Sequence, residues 1–271
     1  SYLWTCLGNG RGVEHRRVTA DNIFTLLKTK LTKKKTALNI MSQGVFITGT
    51  DTEIGKTRVS LVLMEYLKRQ GYRVAGMKPI ASGAERVNGK LVNDDADQIK
   101  QHCSRPVDYE RVNPCPYSLP IAPHIAAKQE NKIIDIDLIQ QAYQTLLSEN
   151  DIVIVEGVGG WRVPISETET LPDLVKALGL PVIMVVGMRL GCINHALLTA
   201  SAISQDGSRL LAWVSNQAQA EEYLYKHETI ATLSARLTCR HLVDLPFFTE
   251  SLVDRAWALP DLNWPGLFNL K

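Results

Sequence analysis

Short apolar runs alternate with longer amphipathic stretches along this chain from Gly44 onward. Several runs, such as DIVIVEG and PVIMVVG, are apolar at successive positions, which is typical of strands buried on both faces of a parallel sheet. The pattern predicts strands at 45–49, 73–78, 152–156, 182–187, 210–214 and 242–245. It predicts helices at 56–70, 95–101, 136–148, 172–178, 193–205 and 220–237. This alternation indicates a doubly wound α/β fold, with a mostly parallel sheet and helices on both faces.

Residues 1–40 differ from the rest of the chain in charge and in pattern. They contain eight Lys and Arg residues against two acidic residues, whereas the remainder contains 22 basic and 26 acidic residues. We interpret 1–40 as a basic, dispensable N-terminal extension before a natural start at Met41. The alternative is a basic arm that contacts an acidic partner or a membrane surface. We expect 41–271 to form a single domain, because no repeat, low-complexity segment or linker interrupts it.

Composition argues against several classes of protein. The chain is 45% hydrophobic and 21% charged, as is usual for a globular protein, and its mildly acidic remainder shows no general affinity for nucleic acid. No apolar run approaches the roughly 18 residues that a membrane-spanning helix needs. The five cysteines include no C-x-x-C pair, which argues against zinc and disulfide frameworks and favours a reducing cytoplasm.

The stretch FITGTDTEIGKT places a glycine-rich loop between a predicted strand and a predicted helix. It is close to the phosphate-binding pattern G-x-x-x-x-G-K-S/T, but the first glycine comes one residue early, at Gly49, and Thr50 stands in its place. Backbone N–H groups and the helix N-terminus bind phosphate oxygens in such loops. We predict that Lys56 contacts the β- and γ-phosphates of ATP and that the Thr57 hydroxyl binds Mg²⁺. The predicted ATP-binding residues of the loop are Glu53, Ile54, Gly55, Lys56, Thr57 and Arg58.

Two further stretches place charged residues at the carboxyl ends of predicted strands, where doubly wound folds build their sites. AGMKPIASG carries Lys78 and Ser82, and DIVIVEGVGGW ends its strand in Glu156. An unpaired glutamate at the end of so apolar a strand would be costly to bury, whereas a divalent cation needs such oxygen ligands. In LGCINHALLT, a predicted helix N-terminus offers free N–H groups and a positive dipole to an anion.

These stretches resemble the dethiobiotin synthetase family. The loop GTDTEIGKT is similar to the family's GTDTxVGKT, KPIASG to its KPVASG, and VEGVGGW to its VEGAGGW, while GCINH matches almost residue for residue. The resemblance spans about 45–250. The early glycine is thus a family variant. Thr50 argues against the chromosome-partitioning ATPases, whose loop carries a signature lysine at this position.

The resemblance implies an ATP- and Mg²⁺-dependent cyclo-ligase of biotin biosynthesis. Such an enzyme carboxylates 7,8-diaminopelargonate with CO₂ and closes the ring to dethiobiotin, via a carbamate and a carbamic-phosphoric anhydride. Lys56 and Lys78 would be the catalytic cations, and no protein nucleophile is needed. The resemblance also implies a cytoplasmic homodimer that binds the substrate carboxylate across its interface, with no nucleic-acid or membrane partner.

The resemblance assigns roles to the remaining matched residues. Besides the loop, the predicted ATP-binding residues are Asp95, Glu156, Gly157, Val158, Gly159, Asn216, Gln217, Pro246, Phe247 and Phe248, the last standing where the family has leucine. The predicted Mg²⁺ ligands are Thr57, Asp95 and Glu156. The predicted substrate-binding residues are Ser82, Gly191, Cys192, Ile193 and Asn194.

Three alternatives remain open at this point. The first alternative is a diverged paralogue that acts on another diamine. The second is a nucleotide-switched partition-type ATPase, and the third is an amidating ligase. The last should carry a glutamine amidotransferase domain with a Cys-His-Glu triad, for which no motif is visible. His124, in APHIAA, is expected in the pocket wall or in packing.

Overall fold

The computed structural model describes residues 44–248, which fall within one compact unit. The predicted extension at 1–40 and the final residues, 249–271, lie outside the described range. The strands are β1 (Gly44–Gly49), β2 (Val74–Met77), β3 (Ile80–Ala81), β4 (Glu85–Val87), β5 (Lys90–Val92), β6 (Cys115–Pro116), β7 (Ile152–Glu156), β8 (Val182–Gly187), β9 (Leu210–Asn216) and β10 (Arg240–Leu245). The helices are α1 (Lys56–Arg69), α2 (Asp94–Gln101), α3 (Tyr109–Val112), α4 (Pro123–Gln129), α5 (Ile136–Glu149), α6 (Leu171–Leu178), α7 (Cys192–Gln205) and α8 (Lys226–Arg236).

Six strands form the central sheet in the order β10-β9-β8-β1-β7-β2. Every neighbouring pair is parallel, and β1, β7 and β8 are buried along their whole length. The predicted fold class is therefore confirmed. The chain moves from β1 toward β2 on one side and later toward β8, β9 and β10 on the other. The carboxyl end of β1 consequently lies at a topological switch point, where such sheets bind ligands.

The predicted elements agree with the structure to within a few residues, except that the last helix begins at Lys226 rather than at 220. The short elements were not predicted: the parallel pair β3–β6, the hairpin β4–β5, and the helices α3 and α4. Each is too short to show a hydrophobic period. Within the described range, no helix combines the length and the apolar character needed to cross a membrane.

The helices pack on the sheet through side chains at helical spacing. Ile139, Tyr143 and Leu146 of α5, for example, join the core cluster, as expected for one face of an amphipathic helix. Near β2 the packing is closer still. A Cβ at Gly76 would lie 2.4 Å from Ile99 Cγ2 and 2.8 Å from Met64 Sδ. The missing side chain thus lets α1 and α2 pack closely against β2.

Candidate active site

The loop between β1 and α1 has the backbone of a tight phosphate-binding turn. Gly55 adopts φ 86° and Glu53 adopts φ 57°, both in the left-handed region, which costs glycine little. A Cβ at Gly55 would lie only 2.2 Å from Asn216 Nδ2. That same amide donates a hydrogen bond to the Ile54 carbonyl at 2.7 Å. Asn216, at the end of β9, therefore holds the loop from the neighbouring half of the sheet.

Lys56 folds back over this loop. Its side chain is buried, and Nζ donates to the Asp51 carbonyl at 2.8 Å. Burial lowers the pKa of Lys56 to about 8, although the charge of Glu156 acts in the opposite direction. An anionic phosphate beside the ammonium would raise that pKa again, because it favours the charged form.

Four side chains from separate parts of the chain meet beside the loop. Glu156, at the end of β7, is 0% exposed, and its Oε1 accepts from Thr57 Oγ1 and from Lys78 Nζ, each at 2.8 Å. The Lys78 ammonium also forms an ion pair with Asp95 in the first turn of α2. Phosphate loop, two strand ends and a helix start thus converge on one cluster.

The charges in this cluster stabilise one another. Burial disfavours the ammonium of Lys78, but the carboxylates of Glu156 and Asp95 outweigh it and raise the pKa of Lys78. Burial likewise opposes the charged form of Asp95, yet the ammonium of Lys78 holds the pKa of Asp95 below its ordinary value. Lys78 is therefore a fixed cation at neutral pH, and Asp95 is a fixed anion.

The oxygen atoms of the cluster fit a magnesium ion. Within 44–248, Glu156 Oε2 is buried without a hydrogen-bond partner. No group of three or more His, Cys, Asp or Glu side chains in that range could hold a metal, so the donors here are two carboxylates and a hydroxyl. Mg²⁺ typically binds through one or two carboxylates together with substrate phosphates and water, rather than in an all-protein cage. Thr57, Asp95 and Glu156 suit that mode.

The glycine-rich segment after β7 passes directly beside β1. A Cβ at Gly157 would lie 2.9 Å from the ring of Phe46, and Gly159 adopts φ 62°. Trp161 anchors the far end of the segment, because its Nε1 donates to Asp206 Oδ2 at 2.8 Å. The predicted segment Gly157, Val158 and Gly159 thus lines the same strand ends as the loop.

The remaining residues predicted to bind ATP lie at the end of β9 and after β10. Asn216 and Gln217 are buried, and their side-chain oxygens lack hydrogen-bond partners among the described residues. The Arg58 guanidinium lies 4.7 Å from the ring centroid of Phe248 and 5.3 Å from that of Phe247, a cation–π arrangement. The phenylalanine at the family's leucine position therefore packs against the helix that follows the phosphate loop, and Pro246 precedes this pair.

The predicted substrate-binding residues occupy two places. Ser82 follows β3, and its Oγ is buried without a hydrogen-bond partner in the described part of the chain. Gly191 caps α7 with φ 91°, and Cys192 is buried in the core. Ile193 is half-buried and Asn194 is exposed.

No hydrogen bond or ion pair among residues 44–248 joins the segment 191–194 to the Lys78 cluster. The nearest link is the ion pair between Arg189 and Asp51 of the phosphate loop. The structure thus brings Thr57, Lys78, Asp95 and Glu156 together and leaves 191–194 at a separate, exposed helix N-terminus.

Sequence reasoning missed the polar residues that support the cluster from behind. Asn113 donates to the carbonyl of Lys78 at 2.6 Å, and Tyr109 donates to Asn113 at 3.0 Å. Both belong to the short helix α3 and its end, where no periodicity gives a signal. A polar residue inside an otherwise apolar VNPCPY stretch was the only available hint.

Comparison with known proteins gives the family of the chain. A family profile described as an AAA domain matches residues 43–252. Among solved structures, the MinD cell division protein of Aquifex aeolicus aligns with a TM-score of 0.46 at 15% identity, over 79% of this chain and 86% of that one.

Two curated relatives are much more similar in sequence. The ATP-dependent dethiobiotin synthetase BioD of Cellvibrio japonicus is 44% identical over 218 residues, which cover 80% of this chain and 95% of the relative. The protein of the same name from Aromatoleum aromaticum is 43% identical over 221 residues, covering 82% and 97%. These matches confirm the resemblance carried by the motifs: the chain belongs to the family of ATP-dependent dethiobiotin synthetases.

Proposed function

We propose that this protein is a Mg²⁺-dependent ligase that converts 7,8-diaminopelargonate, CO₂ and ATP into dethiobiotin, ADP and phosphate. Membership of the family supports the use of ATP in biotin biosynthesis. The observation that carries the proposal is the contact of Glu156 Oε1 with both Thr57 Oγ1 and Lys78 Nζ. It joins the phosphate loop to a buried ion pair at the strand ends. Phosphoryl transfer needs cations and metal ligands beside the phosphates, and this contact brings such groups together there.

The reaction divides into three bond-forming steps. One substrate amine adds to CO₂ and loses a proton, which gives a carbamate. A carbamate oxygen then attacks the γ-phosphorus of ATP, and ADP leaves. The second amine attacks the carbonyl carbon of the resulting carbamic-phosphoric anhydride, phosphate leaves, and the cyclic urea closes. Since each nucleophile belongs to the substrate, the protein must supply placement and charge stabilisation.

The two buried lysines suit separate stages of this sequence. Lys56 lies in the phosphate loop and would contact the β- and γ-phosphates. Lys78 is held as a cation by Glu156 and Asp95, so it can stabilise charge on the transferred phosphoryl group without first taking up a proton. The Ser82 hydroxyl follows β3 and has no hydrogen-bond partner among residues 44–248, and we propose that it binds the diamine.

The carboxylates and the hydroxyl of the cluster would hold the metal. We propose Thr57, Asp95 and Glu156 as its ligands. Mg²⁺ bound there would neutralise charge on the β- and γ-phosphate oxygens. The ammonium of Lys78 already contacts both carboxylates, which keeps the like-charged groups together before ATP arrives.

The exposed start of α7 would bind the distal carboxylate of the substrate. The positive dipole at this helix N-terminus favours an anion, and Leu190 just before it is 90% exposed. We propose that a second copy of the chain in a cytoplasmic homodimer covers this surface, so that 191–194 of one subunit serve the cluster of the other.

The test is direct product formation by purified protein. We expect dethiobiotin and phosphate in equal amounts when ATP, Mg²⁺, bicarbonate and 7,8-diaminopelargonate are all present, and no product after the metal is removed with EDTA. A vicinal diamine without the carboxylate serves as the matched control and should react far more slowly. Phosphate release that is independent of the diamine, with no dethiobiotin, would contradict the proposal.

A further inference from the structure

Tyr109 and Asn113 form a chain of hydrogen bonds behind the cluster. Asn113 is 1% exposed. Its Nδ2 donates to the Lys78 carbonyl at 2.6 Å, and its Oδ1 accepts from the Tyr109 hydroxyl at 3.0 Å. The Tyr109 oxygen in turn accepts from the backbone N–H of Asn93 at 2.8 Å. The end of β2 is thereby connected to the residue that precedes α2.

Asn93 carries this connection to two other parts of the site. Its Oδ1 accepts from the Ala96 N–H at 3.3 Å and so caps the helix that bears Asp95, as N-cap residues commonly do. Its Nδ2 donates to the Ser82 carbonyl at 3.2 Å. One side chain thus joins the helix start and the loop proposed to bind the diamine.

We propose that Tyr109, Asn113 and Asn93 are positioning residues, whose network fixes Lys78, Ser82 and Asp95 relative to one another for the reaction. The inference rests on the proposed function, because Lys78 and Ser82 take their roles from it. None of the three residues touches the reacting atoms directly. They act through the backbone carbonyls of Lys78 and Ser82 and through the cap of α2.

The Tyr109 hydroxyl is the central link, because it is donor and acceptor at once. It can keep both hydrogen bonds only while it stays protonated, and burial raises its pKa above the ordinary value for tyrosine. Phenylalanine at this position would leave Asn113 Oδ1 and the Asn93 N–H without partners. Unpaired polar groups are costly when they are partly desolvated. The segments that carry Lys78, Ser82 and Asp95 would therefore shift until these groups find new hydrogen-bond partners.

The experiment compares Tyr109→Phe with Tyr117→Phe. Tyr117 is 1% exposed, its hydroxyl donates to the Ile133 carbonyl at 2.9 Å, and it also interacts with Cys115. The control therefore also loses side-chain hydrogen bonding in the core, but none that leads to the cluster. For Tyr109→Phe we expect kcat for dethiobiotin to fall roughly tenfold, as for a lost hydrogen bond that leaves groups unpaired. The Kd for Mg-ATP, measured by calorimetry, should rise much less than kcat falls, because the phosphate loop is untouched and only Asp95 of the proposed metal site depends on the network.

A double-mutant cycle separates positioning from general stability. Because part of the effect of Tyr109 passes through Lys78, Tyr109→Phe should lower kcat clearly less in a Lys78→Ala background than in the wild type. Asn113→Asp, which keeps its shape but loses the donor to Lys78, should reproduce the loss in kcat and covers the case in which Tyr109→Phe does not fold. Effects that multiply in the double variant, or a kcat no lower than that of Tyr117→Phe, would overturn the proposal.

A readout other than activity keeps this test separate from that of the function. In the wild-type protein the backbone N–H of Asn93 should exchange slowly with solvent, because it donates to the Tyr109 hydroxyl. Tyr109→Phe should abolish that protection from exchange, whereas Tyr117→Phe should preserve it. Wild-type protein that forms no dethiobiotin would sink the proposed function. In that case unchanged protection of the Asn93 amide in Tyr109→Phe would sink the network as well, and its loss would support the network.

Discussion

An ion pair joins the neighbouring strands β2 and β7 at each of their ends, and the two pairs differ in how much of them is exposed to solvent. At the amino ends, the Arg73 side chain donates two hydrogen bonds of 2.7 and 3.1 Å to Asp151, and the Arg73 backbone N–H donates a third of 2.8 Å to the same carboxylate. The two side chains are 47% and 29% exposed. At the carboxyl ends, Lys78 binds Glu156 at 2.8 Å, with side chains 7% and 0% exposed. The same pair of strands therefore presents one ion pair to water and encloses the other.

The difference supports our proposal that the buried pair, rather than the exposed one, serves the reaction. An exposed pair contributes about 0.2–1 kcal/mol to stability, and Arg73 with Asp151 serves as an ordinary clamp at the strand starts. Desolvation of a buried pair can exceed its Coulombic gain, so stability alone gives little reason to bury Lys78 and Glu156. Buried ionisable groups that act on one another, as Glu156 and Asp95 raise the pKa of Lys78, are candidates for a functional site.

The largest expected effect is on turnover, and it distinguishes Lys78 of the buried pair from Arg73 of the exposed pair. Lys78→Ala should lower turnover by about 10²–10³, the usual loss when one charge-stabilising group is removed, while ATP binding is retained. The matched variant Arg73→Ala should keep turnover within about twofold, because its pair is exposed and far from the cluster. Turnover, ATP affinity by calorimetry and circular dichroism check this, and normal turnover of Lys78→Ala would refute the role of Lys78.

The second prediction concerns stability. Removing Lys78 alone should cost about 3–5 kcal/mol of unfolding free energy, because Glu156 stays buried without its cation. The double variant Lys78→Met with Glu156→Leu should recover that loss and reach or exceed the wild type by about 1–4 kcal/mol, though inactive. Urea unfolding measures both.

The matched double variant at the amino ends is Arg73→Met with Asp151→Leu. It should change the unfolding free energy by less than about 1 kcal/mol, since the exposed pair contributes little. A buried-pair double variant as unstable as Lys78→Ala would mean that the carboxyl-end pair stabilises the fold after all.

The third prediction extends the comparison to two glycines with the same φ of 86°, Gly55 in the phosphate loop and Gly71 in the turn before β2. A Cβ at Gly71 meets nothing within 4 Å, whereas at Gly55 it meets Asn216 Nδ2 at 2.2 Å. Gly71→Ala should cost about 1 kcal/mol of stability and leave ATP binding unchanged. Gly55→Ala should also weaken ATP binding by at least about tenfold, because the loop N–H groups must move. Equal ATP affinities of the two variants would show that the Asn216 side chain moves aside without disturbing the loop.

The sequence predicts the carboxyl end of the sheet better than the amino end. Apolar runs ending in charged or glycine-rich residues located β1, β2 and β7 and placed Lys78 and Glu156 at strand ends, because parallel strands expose their carboxyl ends at one edge. The roles of the individual site residues remain predictions.

What the sequence did not predict is the pairing between distant segments. Lys78 and Glu156 are 78 residues apart, and their direct contact depends on the register of β2 against β7, which periodicity does not give. Tyr109 and Asn113 lie on a single short turn of helix, where no hydrophobic pattern develops. Local pattern therefore predicts elements and strand ends, whereas side-chain networks require the tertiary register.

The smallest predicted effect is the response of the two ion pairs to salt. Raising the ionic strength from about 0.1 M to about 1 M shortens the Debye length from about 10 Å to about 3 Å, which screens exposed charges far more than buried ones. The coupling energy of Arg73 with Asp151, from a double-mutant cycle in urea, should fall from less than about 1 kcal/mol toward zero. That of Lys78 with Glu156 should stay nearly constant, because mobile salt ions screen a pair with side chains 7% and 0% exposed much less than an exposed pair. An equal decline for both pairs would mean that the carboxyl-end cluster opens to solvent, and the contrast between the two ends of the strands would then lose its physical basis.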